Sequence, residues 1–210
     1  MKLQTALAAL LFTLPLTAQS SYQLTMTYDR TGLTVPRWTI TIPETGVATY
    51  TGKPTQGLDP GTVTLAMSSA GREKLGALLA RSHDLQPCET HSKGIANMGA
   101  KDITYTPSGQ PAQHCTFNYT DNKPLAEASD FLISVASTVQ IGLELDRLHR
   151  YDRLGLDAVL ARLQTEVKEH RAAELRAIRP TLDSLRKDEA LMDRVRSRAQ
   201  MLLDLADASK

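Results

Sequence analysis

The sequence predicts an α+β fold: an antiparallel sheet of about five strands packed by two helices, followed by an all-α C-terminal extension. Three observations carry that prediction. YQLTMTY (22–28) and RWTITI (37–42) alternate apolar with polar residues, the period of a strand with one buried face. Composition then shifts near residue 120. Residues 21–120 are rich in Thr, Tyr, Val, Gly and Pro, whereas 124–208 hold one proline after Pro124 and almost no β-branched runs. Finally, Leu125, Ala128, Leu132, Val135, Val139, Gly142 and Leu143 form a continuous apolar stripe at helical spacing. The domain division that follows is a signal peptide at 1–18, an α+β domain at 21–154 and a helical extension at 156–210.

MKLQTALAALLFTLPLTAQSS opens the chain with Lys2, an apolar run from Ala6 to Leu16, and a small residue at Ala18 for cleavage. That is the pattern of a secretory signal peptide, and the run is too short to cross a bilayer. No cysteine follows it, so a lipid-anchored form of export is not indicated. The expected location is exported, periplasmic or extracellular. Net charge is +1, from 24 basic and 23 acidic residues, which leaves no footprint for nucleic acid or an anionic membrane. FLISVASTVQIGLEL (131–145) carries Ser134, Ser137, Thr138, Gln140 and Glu144, so it reads as an amphipathic helix of a soluble domain. No transmembrane segment is expected in the mature chain.

Taken in order, the first strand sets Tyr22, Leu24, Met26 and Tyr28 against Gln23, Thr25 and Thr27. The second sets Trp38, Ile40 and Ile42 against Arg37, Thr39 and Thr41. PETG (43–46) turns into VATYT (47–51), predicting a hairpin, and GKPTQGLDPG (52–61) is loop by composition. VTLAM (63–67) leads to Ser68 and Ser69, either of which suits the cap of a helix bearing Leu75, Leu78, Leu79 and Leu85. KDITYT (101–106) and HCTFNYT (114–120) predict a second hairpin, with Ile103, Tyr105, Cys115, Phe117 and Tyr119 on its buried face.

Pro124 suits a first helical position. Gly155 is expected to end that helix in a left-handed cap, with Asp157 starting the next. The pattern predicts helix from Ala158 to Arg179, with Leu160, Leu163, Val167, Leu175 and Ile178 facing in, broken by Pro180. Asp188 is the expected cap of a last helix along Leu191, Val195, Ala199 and Leu202. There is no internal repeat and no low-complexity tract.

HDLQPCETH (83–91) places a cysteine between two histidines, and HC recurs at 114–115. His83, His91 and His114, with Cys88 and Cys115, supply enough nitrogen and sulfur for a tetrahedral zinc site. Their spacings do not follow the paired, recurring pattern of zinc ligands. In an oxidising compartment two cysteines normally pair, and a Cys88–Cys115 bridge would close a loop of about 27 residues, a constraint of order 3 kcal/mol. A disulfide is therefore the expectation, with a metal site on His83, His91 and His114 as the alternative. A thioredoxin-like C-x-x-C is absent.

No nucleophile elbow, P-loop, H-E-x-x-H or dinucleotide fingerprint is present, so an enzyme is not the leading reading and no cofactor is expected. A hydrolase with an unrecognised site is the further alternative. SKGIANMGAKD (92–102) is a candidate binding loop through Lys93, Asn97 and Lys101, because recognition is carried on scaffold-supported loops more often than in cores. Asn118-Tyr119-Thr120 matches a glycosylation acceptor but falls within a predicted strand. His149-Arg150-Tyr151-Asp152-Arg153 reads as helix-end charge that favours the C-terminal dipole. In the tail, Arg171, Arg176, Arg179, Arg186 and Lys187 alternate with Glu166, Glu169, Glu174, Asp183 and Glu189, an ion-paired face beside a narrow apolar seam. That seam must be buried on its own chain or on another.

The order of strands, loop, helix, hairpin and Pro-initiated helix, with YDRTG (28–32) as opening strand and turn, resembles the emfourin-type exported bacterial domains over residues 22–148. That resemblance implies a small exported module that binds protein. The double glycine expected after the first strand is absent, the helical tail has no counterpart, and no inhibitory residue carries over. The expectation is therefore an exported, non-enzymatic protein-binding module, its partner either another protein or a second copy meeting residues 156–210.

Overall fold

The computed structural model describes residues 22–43, 47–54, 61–65, 67–91, 94 and 96–208. The expected signal peptide, residues 44–46 of the PETG turn and Lys93 lie outside the described residues.

The fold is α+β. Strands β1 (Tyr22–Asp29), β2 (Arg37–Ile42), β3 (Ala48–Lys53), β4 (Thr62–Leu65), β5 (Ala100–Pro107) and β6 (Gln113–Phe117) form one antiparallel sheet in the order β4-β3-β2-β1-β5-β6. The sheet thus has six strands rather than about five. β4 is the addition, four residues of TVTL pairing Ala48 with Leu65 and Thr51 with Thr62.

Period-two alternation decides which face is covered. Leu24, Met26, Ile40, Ile42, Tyr50, Leu65, Ile103, Cys115 and Phe117 point to one side and are buried there. Against them pack α1 (Ser69–Ala80) through Leu75, Leu78 and Leu79, and the first half of α2 (Lys123–Tyr151) through Leu125, Leu132, Val135 and Val139. α1 starts where expected. Ser68 Oγ accepts from the Gly71 amide at 2.9 Å, satisfying one of the helix's orphan donors.

α2 is 29 residues, about 43 Å of helix. Near Gln140 its buried stripe passes from one core to another. Ile141, Leu145 and Leu148 belong to a second cluster, with Leu156, Leu160 and Leu163 of α3 (Leu156–Lys168), Leu182 and Leu185 of α4 (Arg179–Lys187), and Val195, Ala199, Leu202 and Ala206 of α5 (Asp193–Ala208). The seam of the extension is therefore buried on its own chain.

Several helix boundaries differ from expectation. α2 ends at Tyr151, and Gly155 is right-handed (φ −71°) within a 3-10 turn at Arg153–Gly155, so no left-handed cap forms. The helix expected over 158–179 stops at Lys168. Residues 169–174 cross α2 as an irregular strap, with His170 and Glu174 in the left-handed region. The strap is held by α2 itself: Thr138 Oγ1 donates to the Ala173 carbonyl at 2.6 Å and the Ala173 amide donates to the Ser134 carbonyl at 3.3 Å. Beyond it, a Cβ on Gly142 would sit 2.3 Å from Ile178 Cγ2, so glycine lets the returning chain meet the helix. Pro180 lies in the first turn of α4 and begins a helix instead of breaking one, since that position needs no amide donor. Asp188 does not start the last helix but ends α4, its amide donating to the Ser184 carbonyl at 3.2 Å. It accepts from the Ala190 amide and from His149.

Glu174 fastens the strap to the sheet half. Its Oε2 accepts from the Ser68 amide at 2.6 Å and its Oε1 accepts from Ser68 Oγ at 2.9 Å. An anionic side chain from the tail thus completes the cap of α1, where the helix dipole favours negative charge.

Candidate functional surface

Two regions were singled out by sequence, the cysteine–histidine corner and the loop before β5. After α1, His83, Asp84 and Leu85 all adopt left-handed backbone, with φ of 51°, 58° and 60°. Such a run costs roughly 1–2 kcal/mol per residue, so its surroundings must hold it. Leu85 is fully buried in the first core. Asn122 Nδ2 donates to the carbonyls of Ser82 and Gln86 on either side of the run, at 2.8 and 2.7 Å. Its Oδ1 meanwhile caps α2 by accepting from the Leu125 amide at 3.2 Å.

Cys88 and Cys115 form a disulfide with Cα atoms 5.6 Å apart, tying this segment to β6. Residues 87–90 also pair with the chain after β6: the Thr90 amide donates to the Tyr119 carbonyl and Thr120 Oγ1 to the Pro87 carbonyl. The three histidines do not converge. His83 and His91 are exposed in this segment, while His114 stands on the opposite, open face of the sheet beside Asp102. Among the described residues no group of three or more His, Cys, Asp or Glu side chains is arranged to hold a metal ion.

In the loop before β5, Asn97 Oδ1 accepts from the Gly99 amide, shaping the turn. Lys101 faces inward and is 7 % exposed, its Nζ donating to the carbonyls of Gly99 and Asn118. The ammonium also lies 5.4 Å from the centre of the Phe117 ring and 5.9 Å from that of Tyr28. Burial holds its pKa below the ordinary lysine value, with nearby Asp130 opposing that shift and Arg30 adding to it. Lys101 therefore pins the loop from beneath. Asn118 pins it from the side, accepting from the Met98 amide and donating to the Ala96 carbonyl, so both ends of its amide serve the fold.

The open face of the sheet carries a feature that sequence reading noted only for β1 and β2. Its central outward positions in β1–β4 are Thr25, Thr27, Thr39, Thr41, Thr49, Thr51, Thr62 and Thr64, bounded on the same face by Gln23 at one margin and by Asp29, Arg37 and Lys53 at the other. Register aligns them into two ranks across the strands. One runs Thr64, Thr49, Thr41, Thr25, Thr104 and ends on His114. The other runs Thr62, Thr51, Thr39, Thr27, then Asp102 and Thr116. None of these side chains is buried, and among the described residues no helix packs over them. The available signal was a T-x-T repeated in four successive strands: TMT, TIT, TYT and TVT.

Geometry sets the ranks about 4.8 Å apart from strand to strand and about 6.7 Å apart along each strand. The Thr27 and Thr39 hydroxyls bond each other at 3.0 Å and those of Thr51 and Thr62 at 3.5 Å, which orients the second rank. At the β5–β6 end, Asp102 accepts from Thr116 Oγ1 at 2.9 Å and lies 3.2 Å from His114 Nε2. Both groups address one carboxylate, so no hydroxyl is relayed to the imidazole as a nucleophile would be.

No protein-family model matches the chain, and no curated protein matches its sequence.

Proposed function

We propose that the protein is exported and acts as a non-enzymatic binding module whose contact surface is the open threonine face. One observation carries this reading: the eight central outward positions on four strands are all threonine and aligned in register, inside a margin of Gln23, Asp29, Arg37 and Lys53. β-Propensity favours threonine on a wet sheet face but is satisfied as well by Val, Tyr, Phe or Ile, and it sets no uniform choice. A uniform surface points to a ligand that uses it.

Export is supported by the leader pattern at 1–18 and by a disulfide of the kind that persists in oxidising compartments. Among the described residues no helix is long and apolar enough to cross a membrane. The layout resemblance to emfourin-type domains also favours a binding role. The helical half buries its seam on the second half of α2 and meets the sheet half at Ala177 and through the Glu174–Ser68 bonds.

The test compares retention of the mature protein on its native cell-envelope fraction with that of Thr25→Lys/Thr41→Lys/Thr49→Lys and of Tyr151→Ser/Leu154→Ser, both checked for unchanged circular dichroism. The face variant is expected to lose retention and the variant at the far end of α2 to keep it. Equal retention of wild type and face variant would overturn the reading.

A further inference from the structure

We propose that the ligand of this face is a linear, uncharged glycan chain lying across the strands on top of the two threonine ranks. The inference rests on the preceding reading that this face is the contact surface, and it names the ligand class. Its first argument is repetition. Five threonines in one rank and four in the other repeat the same hydroxyl and methyl at one strand spacing, over about 19 Å for the longer rank. Apart from another sheet face, a folded protein surface has no such translational repeat. A β-linked pyranose chain does, presenting hydroxyls on both edges at a pitch close to one ring per strand.

The second argument is shape. Between the ranks lie Met26, Ile40, Tyr50 and Val63, paired in register, whose side chains point to the other face. The ranks therefore flank a shallow trough floored by backbone, with hydroxyl donors and acceptors along both rims. The rim methyls suit the apolar C–H faces of sugar rings.

Charge is the third. The T-x-T positions of β1–β4 are neutral, and charge stands at their margins: Asp102 and His114 at the β5–β6 end, and Asp29, Arg37 and Lys53 one step beyond the second rank, where Arg37 pairs with Asp29. The ranks themselves hold no basic residue to pair with an anionic polymer. Sheet twist then selects between a single chain and a crystalline surface. Adjacent strands rotate by roughly 20–25°, so a rigid flat lattice touches only the middle of the face, whereas a chain with free glycosidic torsions can follow the trough.

The probes are soluble cellohexaose and chitohexaose, titrated by isothermal calorimetry and by amide chemical shifts of the folded mature protein. Thr25→Val/Thr41→Val/Thr49→Val removes three hydroxyls while keeping shape and strand propensity. Thr→Ser at the same positions keeps the hydroxyls. Binding of either hexamer with shifts in β1–β4, weakened at least tenfold in the Val variant and less in the Ser variant, supports the proposal. No binding of either hexamer by the wild type overturns the glycan inference. The contact-surface reading still stands if Thr25→Lys/Thr41→Lys/Thr49→Lys abolishes envelope retention. Hexamer binding unaffected by both Val and Lys variants overturns the inference and the reading together. Face-to-face dimerisation lost in the Lys variant, or slowed ice growth in place of hexamer binding, would reassign the face and overturn the glycan.

Discussion

Replacing Asn122 with alanine should destabilise the protein by about 3 kcal/mol, built from three separate losses. The Ser82 carbonyl, within a fully buried residue, would lose its donor from Asn122 Nδ2 but keep the Gln86 amide at 3.1 Å, a cost of about 1 kcal/mol. The Gln86 carbonyl belongs to an exposed residue and can turn to water, so its loss is worth about 1 kcal/mol. Removing the cap on the Leu125 amide adds about 1 kcal/mol. Asn122→Asp separates these contributions. It keeps the capping oxygen and adds a charge that suits the helix N-terminus, but it turns an acceptor toward two carbonyls. If the carbonyl clamp dominates, Asp should be at least as damaging as Ala. The assay is urea unfolding by circular dichroism, with hydrogen exchange at residues 82–86 as the local readout. A loss below about 1 kcal/mol in Asn122→Ala, or an Asp variant near wild type, would refute the view that this side chain holds the left-handed run at His83–Leu85.

Three further outcomes follow from contacts elsewhere. Gly71→Ala places a Cβ 2.1 Å from Glu174 Oε1, so the carboxylate must leave its cap. The variant should lose about 1–2 kcal/mol in wild type yet become stabilising in a Glu174→Ala background, and calorimetric melting of the four-member cycle reads the sign change. Reducing or replacing Cys88 and Cys115, 27 residues apart, should cost about 3 kcal/mol, measured as the urea midpoint with and without reductant; an unchanged midpoint contradicts it. Acid should attack the helical half first. Arg171 holds Glu166 below its ordinary carboxyl pKa, Lys187 and Arg186 do the same for Asp183, and His149 with the Ala190 amide does so for Asp188. Groups whose folded pKa is depressed contribute stability that is complete above about pH 4 and is lost as pH falls through the depressed values. Asp188→Asn should therefore flatten the acid limb of stability against pH, and hydrogen exchange should show α4 and α5 opening before the sheet.

The parts of the fold legible in the sequence are those decided by local period and composition. Alternation at 22–28, 37–42 and 101–106 fixed which side chains enter the core, and Ser68 and Pro124 marked helix starts because capping is a local interaction. β4 was hard to read because TVTL is short and its pairing partner lies beyond a loop. The strap at 169–174 was illegible because no Gly or Pro announces it: tertiary bonds to Ser134, Thr138 and Ser68 override helix propensity there. The same held for the candidate surface. Each T-x-T is unremarkable alone, and only strand register, a non-local property, turns four of them into ranks. Lys101 looked like a loop cation because its sequence neighbours are polar, whereas the pleat of β5 turns it inward.

The shared helix α2 also has a consequence in time. Synthesis delivers the chain from its N-terminus, and β1 cannot gain its inner neighbour until β5 follows at residue 100. Ile141, Leu145 and Leu148 wait longer, because Leu202 and Ala206, which close the cluster around them, emerge well after α2. A nascent chain therefore carries a bare apolar stripe on α2 until α5 has been made, the state in which partly folded proteins aggregate.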